Sequence, residues 1–394
     1  MRIPQSGAQV IRLFLAQAIY WSCAIIGVIL NAVAGLRLAG TAELATLPLG
    51  LLALGYLASV QPLARLMQRH GRRRGFMLGA LAGIAAGLAA ALAVQRHSFV
   101  LFNLSMLVFG IYQASAMFYR FAAVEAVSRA FQGRAAAWVV GGGVLAALCA
   151  PQLAALSQGA LPTPYVASYL LLATLAALGL LVVAGLAGAS GGAVSQGASV
   201  RTSYRELLGR APVRVAIVTT AVGHGLMILV MNATPLAMHD YGMSLQASAD
   251  VIRWHVLGMF LPAFVAGPLI DRLGDRAVAI IGAVALATSA AVALNGDGHG
   301  AFLVSSCLLG MAWNLMLVAG TTLLGSGHGA SERASAQGLM ELANGGAATA
   351  MSFASGALIA SVGWSAVNLG MLPLVLLVLV MQLRGGLARP RAVA

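Results

Sequence analysis

Lysine is absent from this chain of 394 residues, and only 10 acidic side chains accompany its 23 arginines. Charged residues make up 8% of the chain against 60% hydrophobic ones, where soluble domains carry roughly a quarter charged. A water-soluble domain of this length has too little polar cover to hide so much apolar surface, so soluble enzymes and nucleic-acid binders are excluded. Without lysine there is no glycine-rich phosphate loop ending in Lys, which removes nucleotide-driven work on that pattern. Cysteine is scarce as well: Cys23, Cys149 and Cys307 lie far apart inside apolar runs and suggest neither a disulfide framework nor a zinc site. With no HExxH or CxxC string either, the chain is expected to be neither an enzyme nor a holder of metal or cofactor.

What the chain has is long apolar runs. A bilayer core about 30 Å thick takes about 20 helical residues to cross. Twelve runs reach that length, at about 10–36, 43–64, 76–95, 99–122, 135–157, 165–187, 212–238, 247–270, 276–295, 300–324, 336–360 and 365–384. They predict an all-α membrane protein with twelve transmembrane helices. The first run is too long for a signal peptide and reads as a retained span. Counting from a cytoplasmic N terminus, 20 of the 23 arginines fall inside, leaving Arg37, Arg96 and Arg253 outside. The positive-inside rule then places both termini in the cytoplasm.

The segment from Gly188 to Ala211 divides six runs from six. It defines an N-terminal bundle (1–187), a linker (188–211) and a C-terminal bundle (212–394). The first part, GASGGAVSQGAS, has a flexible composition; the second, SYRELLGRAP, has either the spacing of a short interfacial helix or that of a plain linker. Two short loops occupy the same place in each half: ARLMQRHGRRR (Ala64 to Arg74) and GPLIDRLGDR (Gly267 to Arg276). The second resembles the signature loop of the major facilitator superfamily, with Gly267, Leu269, Asp271, Arg272, Gly274 and Arg276 in register. The first keeps Arg69, Gly71, Arg72 and Arg73 but has Ala64 and Gln68 where the family has Gly and Asp. The resemblance implies two pseudo-symmetric six-helix bundles that rock about a central cavity. It also implies gating by Arg69, Gly71, Arg72, Gly267, Asp271, Arg272, Gly274 and Arg276. The string GGGVLAALCAP (Gly141 to Pro151) is partly similar to a span-5 motif of proton-coupled exporters in that family, although close helix packing explains it equally well.

By the same resemblance, the first, fourth, seventh and tenth spans line the cavity. Their middles carry Gln17, Tyr20 and Trp21; Tyr112 and Gln113; His224 and Met227; and Trp313 and Asn314. Such a layer suits a flat or amphipathic organic molecule better than a phosphate or simple sugar. Ionisable groups inside spans are costly and therefore suspect. His224 and Glu341 are candidates for proton coupling, with a structural histidine and an Arg-paired glutamate as the alternatives. Asp250 and Arg253, three residues apart, are expected to neutralise each other, leaving His255 a weaker candidate. Arg120, Glu125, Arg129 and Arg134 form either an ion-paired inner gate or a solvated loop. Asn31, Asn103 and Asn232 are expected to bond between helices.

The resulting expectation is a monomeric secondary transporter of a small organic solute, partnered by protons and membrane lipids and not by nucleic acid. Proton-coupled export comes first; uptake of a flat aromatic or vitamin-like nutrient is the alternative. A non-transporting sensor or scaffold of the same fold is the reading from another class.

Overall fold

The computed structural model describes residues 5–39, 44, 47–187 and 203–387. The string GASGGAVSQGAS, Arg2, Arg201, Arg389 and Arg391 lie outside these residues. Among the described residues there are helices and no strand. In chain order they are α1 (Gln5–Ala39), α2 (Leu47–His70), α3 (Arg72–Gln95), α4 (Phe99–Ala116), α5 (Tyr119–Glu125), α6 (Gln132–Gly141), α7 (Gly143–Ser157), α8 (Val166–Ala184), α9 (Tyr204–Gly209), α10 (Ala211–Asp240), α11 (Leu245–Phe260), α12 (Ala263–Leu273), α13 (Asp275–Leu294), α14 (His299–Gly325) and α15 (Arg333–Leu387).

Among the described residues, eleven stretches are long and apolar enough to cross a membrane. The last covers two of the expected runs. At 1.5 Å per residue, the 55 residues of α15 would reach about 80 Å, well over twice the bilayer core. Gly363 interrupts it with a backbone at φ 78° and ψ 175°, a conformation open to glycine because it has no Cβ. Three other runs are single spans broken locally: α4 from α5 after Ala116, α6 from α7 at Gly142, and α11 from α12 at Leu261 and Pro262. Pro262 has no N–H to continue the ladder, which accounts for the last break. Leu88, Val100, Leu156, Leu181, Val265 and Phe353 are exposed, as a hydrocarbon-facing surface requires.

The chain forms two compact units. The first holds the described residues of Met1–Val127, Trp138–Val200 and Arg333–Leu342; the second holds those of Ser128–Ala137, Arg201–Glu332 and Ala343–Ala394. In the first, α3 packs on α4 and α8, α2 on α4, and α1 on α7 and α8. In the second, α14 packs on α10, α11 and α13.

Both units use one device at corresponding crossings. On α2 and α4, a Cβ on Gly55 would overlap the Leu107 carbonyl, and one on Gly110 would overlap the backbone at Leu52 and Tyr56. On α11 and α14, a Cβ on Gly258 would come 2.6 Å from the Cys307 oxygen, and one on Gly310 would come 2.5 Å from that of His255. Reciprocal glycines let the two backbones touch, which is how membrane helices gain packing energy where no hydrophobic effect separates helix from lipid.

The short helix anticipated after the linker is α9. Ser203 caps it by accepting the Arg205 N–H at 3.3 Å. Arg210 then pairs with Glu332 at 2.5 Å and Glu206 at 3.1 Å, and the Glu332 hydrogen bond first, then Glu206, hold its guanidinium above the ordinary value.

Candidate functional site

In the second unit, α10 and α14 bring His224 and Trp313 together. The Trp313 indole donates to His224 Nδ1 at 2.8 Å. Indole nitrogen is donor only, so Nδ1 presents its lone pair and the imidazole is the neutral form with its proton on Nε2. Phe260, the last residue of α11, sets its ring edge-on to Trp313 with centroids 6.1 Å apart. Trp313 and Met227 are buried, whereas His224 is partly accessible. Asn314 faces another way: its amide donates to the Met259 carbonyl at 2.7 Å, tying α14 to α11.

The first unit gathers a second aromatic group. Tyr20 and Tyr112 meet edge to face with centroids 5.4 Å apart, and Trp21 lies 5.5 Å from Tyr20. Tyr20, Tyr112 and Gln17 are buried; Trp21 and Gln113 are partly accessible. Tyr112 sits in a helix seam, its ring so close over Gly83 of α3 that a Cβ there would come 2.5 Å from it.

The two loops close with the same geometry. Gly71 has φ 86° and ψ 154°, and Gly274 has φ 85° and ψ 158°, so a side-chain-bearing residue would be strained at either turn. Within the second unit, Asp271 accepts from Arg134 Nε at 2.6 Å. Its Oδ1 also lies beside Gly133 in the opening turn of α6, where the positive end of the helix dipole favours a carboxylate. Arg276 reaches the Gln382 carbonyl at 3.4 Å, while Arg272 and Arg69 are exposed.

Within the first unit, Arg72 begins α3, an unfavourable end for a cation. Glu125 offsets it at 2.5 Å, and also accepts from Gln337 at 3.1 Å and pairs with Arg333 at 3.5 Å. Beside this group, Arg120 of α5 forms a buried ion pair with Glu341 of α15. Tyr56 of α2 donates to the Glu341 backbone oxygen at 3.0 Å and to Oε2 at 3.2 Å. The solvated-loop alternative for Arg120 is therefore corrected: the residue is 5% exposed and completes an ion pair.

Asp250 and Arg253 make the expected pair at 3.5 Å. His255 is buried, its Nδ1 donating to the Ser306 carbonyl at 2.8 Å. Asn31 accepts from Tyr169 at 3.0 Å, and Asn232 bonds Ser352 at 3.1 Å, both between helices. Asn103 is corrected, since it donates to the Phe99 carbonyl of its own helix at 2.8 Å. Of the three cysteines, Cys23 is buried and Cys149 is exposed.

Sequence reasoning missed Phe260, Tyr56 and Gln337. Phe260 ends a helix that the sequence shows as continuous, and the other two act through pairings hundreds of residues apart in the chain.

These features agree with the relatives found by comparison. The Major Facilitator Superfamily profile matches residues 215–392. The riboflavin transporter RfnT of Brucella anthropi is 36% identical over 375 residues, covering 94% of each chain. The MFS-type transporter YdeG of Bacillus subtilis is 28% identical over 379 residues, covering 91% of this chain and 88% of its own. Among solved structures, FucP in the outward conformation aligns with a TM-score of 0.76 at 13% identity, covering 97% of this chain and 99% of its own; at that identity the likeness concerns the fold. Twelve apolar runs, paired Gly71 and Gly274 turns, repeated glycine crossings and a full-length relative lead to one conclusion: this chain is a multi-pass membrane transporter belonging to the major facilitator superfamily.

Proposed function

We propose that this protein takes up a flat, neutral, aromatic vitamin of the riboflavin kind across the bacterial cytoplasmic membrane by alternating access. The observation that carries the reading is the 36% identity to a riboflavin transporter over 94% of both chains. The side chains support it. A fused planar ring system with imide and carbonyl groups calls for aromatic faces and a few fixed donors. Trp313 and Phe260 supply rings, and His224 supplies an imidazole fixed by the Trp313 indole. In the first unit, the partly accessible Trp21 and Gln113 offer a ring and an amide. Within each unit these side chains carry no formal charge when His224 is neutral, which favours an uncharged ring over a phosphate ester.

His224 is the coupling candidate. Protonating Nδ1 would set an N–H against the Trp313 N–H, so taking up a proton there and losing that hydrogen bond are one event. Glu341 has a structural role, its charge already balanced by Arg120. The Asp271–Arg134 and Arg72–Glu125 pairs flank the duplicated loops and are the gating candidates. The uptake direction is preferred because the Gly-rich string has a packing duty: a Cβ on Gly142 would come 2.5 Å from the Phe14 carbonyl of α1. The arginine distribution supports cytoplasmic termini. One chain holds both halves of the duplicated pattern, so a monomer suffices.

The test is complementation. A riboflavin-requiring bacterium without its own riboflavin uptake should grow on micromolar riboflavin when it expresses this chain. Growth no better than with empty vector, with the protein present in the membrane, would reject the reading.

A further inference from the structure

Of the three arginines that the charge distribution assigns to the exterior, Arg37 and Arg96 stand at one corner of the first unit. There the last turns of α1 and α3 meet the first turn of α8. Arg37, Val94, His97, Thr163, Pro164 and Tyr165 help to enclose a pocket of about 260 Å³. Its polar lining is a guanidinium, an imidazole, a hydroxyl and a phenol, and among the described residues no acidic side chain lines it.

The backbone around the pocket is unusual. His97 (φ 52°) and Tyr165 (φ 71°) are the two non-glycine residues with positive φ among the described residues, and both line it. Side chains with a Cβ enter the left-handed region only when neighbours hold them there. Tyr165 is held by its N–H to the Gln158 carbonyl at 2.9 Å, and His97 by its N–H to the Val94 carbonyl at 3.3 Å. The turn at Tyr165 places its ring 5.0 Å from the Arg37 guanidinium, which restrains the fork of donors. Tyr165 is also the N-cap of α8, whose N–H groups at Val166 and Ser168 donate to the Thr163 and Tyr165 carbonyls at 3.4 and 3.1 Å. Among the described residues no carboxylate pairs with Arg37.

An oriented guanidinium and neutral donors, gathered in a concave site whose described lining holds no acid, fit a phosphate group. The neighbouring surface says where that phosphate comes from. Leu92, Val100 and Leu161, each within three residues of a lining residue, are exposed apolar side chains, as acyl chains beside a bound headgroup would require. We propose that this pocket binds the phosphate of an anionic phospholipid headgroup, with Arg37 as the principal donor and His97 and Thr163 as secondary donors.

Thermal unfolding of the purified full chain in a neutral detergent tests the proposal. The additions are phosphatidylglycerol, the phosphate-free monogalactosyldiacylglycerol, or inorganic phosphate. Phosphatidylglycerol alone should raise the midpoint, saturably. Its apparent affinity should fall about tenfold in Arg37→Gln, less in Arg37→Lys, which keeps charge but loses the planar fork. Because Arg37 is exposed, the variants should unfold like the parent when no lipid is added. Three results would overturn the proposal: an equal shift with the galactolipid, an equal affinity in Arg37→Gln, or the full shift with inorganic phosphate, which would mark a site for soluble phosphates.

Discussion

Replacing Glu341 with alanine would strand a buried cation. The Arg120 and Glu341 side chains are 6% and 2% exposed, so water cannot substitute for the lost carboxylate. The remaining contacts of Arg120 include the Met117 carbonyl at 3.1 Å and the face of Phe121 at 4.6 Å, neither of which carries a full negative charge. Breaking one side of such a pair costs about 3–5 kcal/mol. Tyr56 adds little to that sum. It loses its bond to Oε2 but keeps the one to the backbone oxygen of residue 341. Glu341→Gln retains the acceptor without the charge and should lose about 1.5–3 kcal/mol. The informative variant is the double substitution Arg120→Met with Glu341→Met, which removes both charges and keeps volume. It should return to within about 1 kcal/mol of the parent or exceed it. Chemical unfolding in mixed micelles, followed by tryptophan fluorescence, of the parent, Arg120→Met, Glu341→Met and the double variant gives the four free energies of a cycle and the coupling between the two sites. A Glu341→Ala variant within about 0.5 kcal/mol of the parent, or a double variant that falls by the sum of the singles, would refute the reasoning.

Three further outcomes are expected. Trp313→Phe removes the indole N–H from His224 while keeping a ring, and should cost about 0.5–1.5 kcal/mol in unfolding and raise the KM for riboflavin more than it lowers kcat in a flux assay. Gly267→Ala places a Cβ 2.5 Å from the Arg134 Cα and should cost about 1–3 kcal/mol, whereas Gly356→Ala, with nothing within 4 Å, should gain about 0.5–1 kcal/mol; the two midpoints measured side by side decide it. Asp271→Asn loses a pair whose arginine is 45% exposed, so solvent screening limits the stability loss to about 1 kcal/mol, and a transport defect much larger than that loss implies would mark the pair as a gate.

The fold was legible because the membrane writes it plainly: runs of about 20 apolar residues are forced by solvation alone. The duplicated loops were legible for a similar reason, since the positive φ at Gly71 and Gly274 leaves little choice of residue. The helix breaks were harder. Gly142 and Gly363 interrupt helices, yet glycine is common throughout the chain, so composition does not separate a break from a close crossing such as Gly55 on α2. The ion pairs were the least legible. Nothing in the local sequence joins Arg120 to Glu341 or Arg72 to Glu125, because partners are chosen by three-dimensional proximity. His224 and Trp313 could be named as polar groups in spans, but their 2.8 Å hydrogen bond depends on the rotation of α10 against α14.

The measurement that bears most directly on the central claim is riboflavin flux into sealed proteoliposomes containing the purified chain, with a pH dye inside and an imposed proton gradient. The account predicts saturable riboflavin entry, accompanied by proton movement that His224→Asn abolishes, while substrate flux down its own gradient is reduced but retained. Riboflavin entry no faster than into protein-free vesicles, with the same preparation correctly folded, would contradict it.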